Sequence, residues 1–158
     1  MPFWEPSNPD LPSTGNPNIS AKNMDKLFFD TNVLLDVLEK RAPWFPEAFE
    51  CLARVQSGQC SGAITALSLS DIAYIQRATP PPTLVAAFRR LRSFLEVAAL
   101  TEETVDAALD LKLEDLEDGF QLEAAIKWKA THLLTRNVQD FPSDAPIRVV
   151  SPREYLEL

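Results

Sequence analysis

From Lys26 onward, short apolar runs alternate with stretches of helical periodicity, and this alternation narrows the fold more than any other feature. Lys26-Leu27-Phe28-Phe29-Asp30 has the length and aromatic content of a buried strand. Thr31 or Asn32 can cap a following helix that carries Val33, Leu34, Val37 and Leu38. Pro46 opens a second helix with Phe49, Leu52, Ala53 and Val55 on its apolar face, and Gly58 stops it. Residues 60–64 read as a second strand, and Thr65 starts a third helix with Leu67, Leu69, Ile72 and Ile75. The Pro80-Pro81-Pro82 run breaks that helix, and Thr83 begins a fourth. Residues 94–99 form a third strand and Thr101 opens another helix. A helix over 117–130, short strands at 133–134 and 147–150, and a last helix from Ser151-Pro152 complete the series. Strands alternating with helices predict a three-layer α/β/α domain around a central parallel sheet of about five strands.

Residues 1–24 stand apart from this pattern. Pro2, Pro6, Pro9, Pro12 and Pro17 interrupt an Asn- and Ser-rich stretch whose large apolar anchors are Phe3 and Trp4. Proline removes a donor and restricts its predecessor, so the segment is expected to be a flexible arm, with the domain proper spanning 25–158. No apolar run approaches a membrane span, and no signal-peptide pattern opens the chain. The two cysteines, Cys51 and Cys60, lack metal-binding spacing, and His132 is the one histidine. That usage fits a reducing, cytoplasmic setting and excludes a cysteine-built zinc site.

In an open parallel sheet, chemistry gathers beyond the carboxyl ends of the strands. Asp30 ends the first strand, where a carboxylate is poorly solvated unless it is capped, paired or bound to metal. Asp71 sits at the edge of the third helix's apolar face, and a plain solvent-facing aspartate is an equally good reading of it. Asp115 and Asp118 are three apart and share a helix face, Asp118 pointing inward and Asp115 outward. Asn137 and Asp140 lie in the loop after residues 133–134 and can return to the same sheet edge. Several carboxylates crowded within a few ångströms need a cation, and an oxygen-only ligand set selects Mg²⁺ or Mn²⁺. Such a site activates water against a phosphodiester.

The net charge of −8, from 15 basic and 23 acidic residues, is unlike the basic footprint of a general nucleic-acid binder. Glu102 to Asp118 alone holds eight acids against Lys112. Arg89, Arg90 and Arg92 cluster on the fourth helix and are candidate contacts to a nucleic-acid backbone.

Three stretches resemble the PIN-domain ribonucleases. Phe28-Phe29-Asp30-Thr31-Asn32-Val33-Leu34-Leu35-Asp36 is similar to their opening motif. Leu116-Glu117-Asp118-Gly119-Phe120-Gln121 through Ala124-Ala125 resembles their third-acid helix, and Leu134-Thr135-Arg136-Asn137 through Asp140-Phe141 their fourth-acid loop. The resemblance implies a PIN-like fold from about Lys26 to Leu156 and a metal-dependent, single-strand-specific endoribonuclease, many of whose bacterial relatives are VapC-type toxins. It further implies that Asp30 and Asp118 bind the metal, that Asp71, Asn137 and Asp140 complete the site, and that Thr135 orients it. An RNA substrate, a cognate antitoxin and a homodimer follow from the same resemblance. Two alternatives stand beside it. An aspartyl-phosphate phosphatase needs a second Asp two residues after the first, where this chain has Asn32. A catalytically weak PIN fold could serve instead as a protein- or RNA-binding module.

Overall fold

The computed structural model describes residues 24–158. In chain order the elements are β1 (Lys26–Phe29), α1 (Thr31–Leu38), α2 (Phe45–Gln56), β2 (Ser61–Thr65), α3 (Ala66–Ile75), α4 (Pro81–Arg92), β3 (Glu96–Ala98), α5 (Glu102–Asp110), α6 (Leu116–Lys127), β4 (His132–Leu134), β5 (Arg148–Val150) and α7 (Pro152–Leu156). The strands form one parallel sheet in the order β3-β2-β1-β4-β5. This is the three-layer α/β/α architecture that the alternation predicts. The flexible arm expected over residues 1–24 lies outside the described residues except for Met24, which packs against the larger core cluster.

β1 is central, and Leu27, Phe28 and Phe29 are fully buried, which explains its unbroken apolar run. Its residues alternate between two cores. Leu27 and Phe29 join Ile64, Leu134 and the apolar faces of α1 and α2, whereas Phe28 joins Ala63, Leu133 and Leu122 of α6 on the opposite side. Chain order reverses direction across the sheet at β1, so the loops leaving β1 and β4 open a crevice between them.

Local details depart from the expected pattern for identifiable reasons. The cap of α1 is Asp30 itself, whose Oδ1 accepts from the Thr31 N–H at 2.7 Å, rather than Thr31 or Asn32. On α2 the buried stripe is Ala48, Cys51, Leu52 and Val55, a set spaced by three, one and three residues, and Phe49 is left 38% exposed. The proline run starts α4 instead of preceding it, because a first helical turn needs no N–H from Pro81 or Pro82. β3 contracts to Glu96–Ala98, since Phe94 and Leu95 still donate to the Leu91 carbonyl as the tail of α4. Ser151 and Glu154 form a reciprocal capping box at α7.

Gly62 marks the tightest passage in the core. A Cβ there would meet Leu95 Cδ2 and Val55 Cγ1, each at 2.7 Å. Both neighbours are buried, so neither has free space to retreat into. Gly62→Ala should destabilise the domain by about 1–3 kcal/mol through overpacking, read as a lower urea midpoint at unchanged slope.

Candidate active site

Asp30 leaves the end of β1 with its carboxylate 2% exposed. Oδ1 is taken by the Thr31 N–H, while Oδ2 accepts from Asn32 Nδ2 at 2.8 Å and from Thr135 Oγ1 at 2.7 Å. The Thr135 hydroxyl, having donated its proton, accepts from the Asn137 N–H at 3.1 Å. Asn32 turns its carbonyl the other way, to the Arg136 N–H at 3.2 Å. α1 and the loop after β4 are thereby latched together around one carboxylate. Burial raises the Asp30 carboxyl above the ordinary range, and the three donors oppose that rise.

A second anchor lies nearly two turns further along α1. Asp36 is fully buried, and Arg136 Nε stands 3.2 Å from its Oδ2 as a charge contact. The Arg136 guanidinium also lies 4.2 Å over the Trp44 ring. Burial pushes the Asp36 carboxyl up, with Arg136 and then Arg41 pulling it back.

α6 supplies the buried Asp118 and the half-buried Glu117, because Asp115 caps the helix and sets its first turn against the sheet end. Glu117 is held by a buried network. Gln121 Nε2 donates to Glu117 Oε1 at 2.7 Å and to Ser68 Oγ at 2.8 Å, and Gln121 Oε1 accepts from Thr65 Oγ1 at 3.1 Å. Thr31 Oγ1 lies 3.2 Å from Glu117 Oε1 and 2.8 Å from Ser68 Oγ. One carboxylate oxygen on each of Asp30, Glu117 and Asp118 falls within 4.8 Å of the others. Asp118 is pushed up to about 7 by burial, then by Asp30, Asp115, Glu117 and Asp140, all acting in the same direction. Burial also raises Glu117, against its hydrogen bond from Gln121.

These groups line a cavity of about 350 Å³, shared with Asp71, Asp115, Asn137 and Asp140. The structure therefore brings Asp30, Asn32, Asp71, Asp115, Asp118, Asn137 and Asp140 to one place, with Thr135 behind Asp30. Asp71 lies outside the group of three, and burial followed by Asp115 raises its carboxyl. Arg89, Arg90 and Arg92 are not brought to it. They occupy the last turn of α4, where Arg92 Nη1 donates to the Leu95 carbonyl and Arg90 borders a separate apolar cleft. Their clustering in sequence carries no information about which end of the sheet α4 reaches, and Arg136 is the arginine tied to the site. Glu117 was missing from the sequence-derived set. Its signal was the Glu117–Gln121 spacing of four, which puts a carboxylate and its amide donor on one helix face.

A cluster of buried carboxylates with no lysine, histidine or cysteine among its ligand atoms can hold a hard divalent cation. No helix among the described residues is long and apolar enough to cross a membrane. No curated protein matches the chain. Among solved structures it is similar to a toxin–antitoxin complex from Klebsiella pneumoniae, with 24% identity, TM-score 0.61, and coverage of 80% of this chain and 97% of that one. It is also similar to VapBC2 from Rickettsia felis bound to a DNA fragment from their promoter, with 16% identity, TM-score 0.59 and the same coverage of 80% and 97%. The family model of the PIN domain matches residues 26–139, and the chain belongs to the PIN domain family.

Proposed function

We propose that the chain is a metal-dependent endoribonuclease and the toxin of a toxin–antitoxin pair, with its nuclease domain spanning residues 25–158. The observation that carries this is the convergence of buried Asp30 and Asp118 with half-buried Glu117, one oxygen of each lying within 4.8 Å of the others. Burial raises each of the three carboxyls, and the charge of Asp30 adds to the rise at Glu117 and Asp118. Oxygen donors alone favour Mg²⁺ or Mn²⁺, with Asp30 and Asp118 as the ligands and Glu117 beside them. When bound, such an ion lowers the pKa of its water and neutralises charge developing on a phosphodiester.

The chain's own residues do the rest. Thr135 and Asn32 hold the Asp30 carboxylate in one orientation, and Asn137 is fixed through Thr135. Asp118 gives up its proton on loading, because a ligand carboxylate must be ionised. Asp71, Asp140 and Asp115 supply further negative charge at the cavity wall. Single-stranded RNA is the substrate class. The structural neighbours are toxin–antitoxin complexes, which supports a cognate antitoxin as the protein partner. A homodimer is supported by apolar residues left exposed on α3 and α5, among them Tyr74, Ile75, Val105 and Leu109.

Titration calorimetry with Mn²⁺ tests the site directly. The native chain should bind the ion, Asp118→Asn should weaken binding by about 100-fold, and Asp30→Asn should abolish cleavage of single-stranded RNA while leaving the melting transition in place. Absence of binding in the native chain would turn the reading to a PIN fold that acts as a binding module.

The raised Asp118 carboxyl makes a separate prediction for the metal-free protein. Its pKa rises from 3.8 to about 7 on folding, so its contribution to stability is present at low pH and lost as pH climbs through that window. In EDTA at pH 8, Asp118→Asn should therefore be more stable than the native chain by about 1–2 kcal/mol. Urea titrations should show that gain shrinking as the pH is lowered toward 5.

A further inference from the structure

α3 leaves the sheet with one face toward the acidic cavity. Ser68, on that face, is buried and bonded to Thr31 and Gln121. Asp71 follows three residues later, and Tyr74 and Ile75 stand three and four residues beyond it, so the face runs from a buried hydroxyl to an exposed aromatic rim. The cavity is chemically two-sided as a result. Its apolar lining is Leu35, Tyr74 and Ile75, on α1 and α3, whereas Asp30, Asp118 and Asp140 come from the end of β1, from α6 and from the loop after β4. A ligand that joins a phosphate to a flat, uncharged ring matches both sides. We propose, on the nuclease reading of this cavity, that Tyr74 is a stacking platform for a nucleobase of the single-stranded RNA whose phosphodiester lies at Asp30 and Asp118.

Tyr74 is 71% exposed at the mouth of the cavity, so its ring is open to a ligand that the acids hold by its phosphate. The Arg77 guanidinium lies 5.0 Å over the ring, and Arg77 Nη1 donates to the Tyr74 carbonyl at 3.1 Å. The cation covers one face of the ring and leaves the other for a base. The last turn of α3 is also fixed relative to the carboxylates. Gln76 Nε2 donates to Glu39 Oε1 at 3.1 Å at the end of α1, and Glu39 in turn pairs with Arg41. α1 begins at Asp30, so one helix sets the spacing between platform and carboxylate, and little ordering is left to be done on binding. Stacking is a contact that an acidic chain can make with RNA without any positive charge. Every base has a π-face, so the platform is sequence-tolerant. One stacked base holds a strand weakly by itself, and its effect is to orient a strand retained at the phosphate.

AMP and ribose phosphate share a phosphate and differ in the base, and titration calorimetry with the two probes tests the proposal. With Mn²⁺ present, the full chain should bind AMP about tenfold more tightly than ribose phosphate. Tyr74→Ala should remove that difference and leave the affinity for Mn²⁺ unchanged, and Tyr74→Phe should restore the difference. On single-stranded RNA, Tyr74→Ala should raise KM about tenfold with kcat retained. Equal affinity for the two probes in the native chain, or a difference that survives in Tyr74→Ala, would overturn the proposal. A fall in mass by light scattering in Tyr74→Ala would also overturn it and assign the ring to a contact between two copies. A native chain that binds no Mn²⁺ would remove the nuclease reading itself, and the base subsite with it. Because the ring is exposed, Tyr74→Ala is expected to fold, and its melting transition reports whether it does.

Discussion

Everything at the acidic end of this domain is arranged around one buried carboxylate. Asp30 is the last residue of a strand with both faces covered, so its charge can be kept there only by donors that the fold brings to it. It receives three, from Thr31, Asn32 and Thr135. Two come from the start of α1 and one from the residue after β4, the pair of loops that separate where strand order reverses. The hydrogen bonds that stabilise the charge thus also join the two halves of the sheet. The Asp36–Arg136 charge contact adds a second tie nearly two turns along α1, with no hydrogen bond in it and the guanidinium against Trp44. An ion pair this deep contributes little net stability against apolar replacements, but removing one partner leaves an uncompensated charge. Its effect is to fix the position of the loop that carries Asn137 and Asp140.

The groups that hold Glu117 are neutral instead. Thr31, Thr65, Ser68 and Gln121 come from α1, the end of β2, α3 and α6, and among them they saturate each other's donors and acceptors. A network of this kind adds no positive charge to the cavity. The three central carboxyls consequently stay raised, with no lysine or arginine among the cavity's lining residues to lower them. Had Arg136 pointed inward rather than under Trp44, it would have neutralised the cluster.

The fold was legible in the sequence because β1 and the caps are local signals. A run of apolar residues ended by Asp, and Thr65, Thr101 and Ser151 each standing before an apolar period, mark element boundaries without any knowledge of tertiary contacts. The family resemblance added the order of the acids, and the cavity does gather them. What was not legible depended on packing. The face of α2 rotates toward Ala48 and Cys51 because α1 and α7 lie there, and nothing within residues 45–56 specifies those neighbours. Glu117 was overlooked because a glutamate in a first helical turn looks like a solvent-facing residue placed to suit the helix dipole, until Gln121, Thr31 and Ser68 are seen around it. The three arginines of α4 do not line the acidic cavity, because which end of the sheet α4 reaches is set by packing and not by their spacing.

The acidic balance of the chain bears on how an anionic substrate could be handled at all. At −8 the long-range field repels RNA, and at physiological ionic strength that field is screened beyond about 8 Å. Attraction therefore has to arise inside that distance. Within it, the candidate on the proposed reading is an ion held by Asp30 and Asp118, because the Arg136 guanidinium is committed to Asp36 and Trp44. On the proposed reading, binding and catalysis then draw on the same cation, and an unloaded site has almost no affinity for substrate. The same acidity suits a protein partner that offers a basic side chain to the cavity, since an arginine placed there would relieve the carboxylate repulsion that the metal otherwise relieves. Metal and partner would in that case compete for one charge vacancy, which is a direct consequence of crowding buried carboxylates that the fold itself leaves unneutralised.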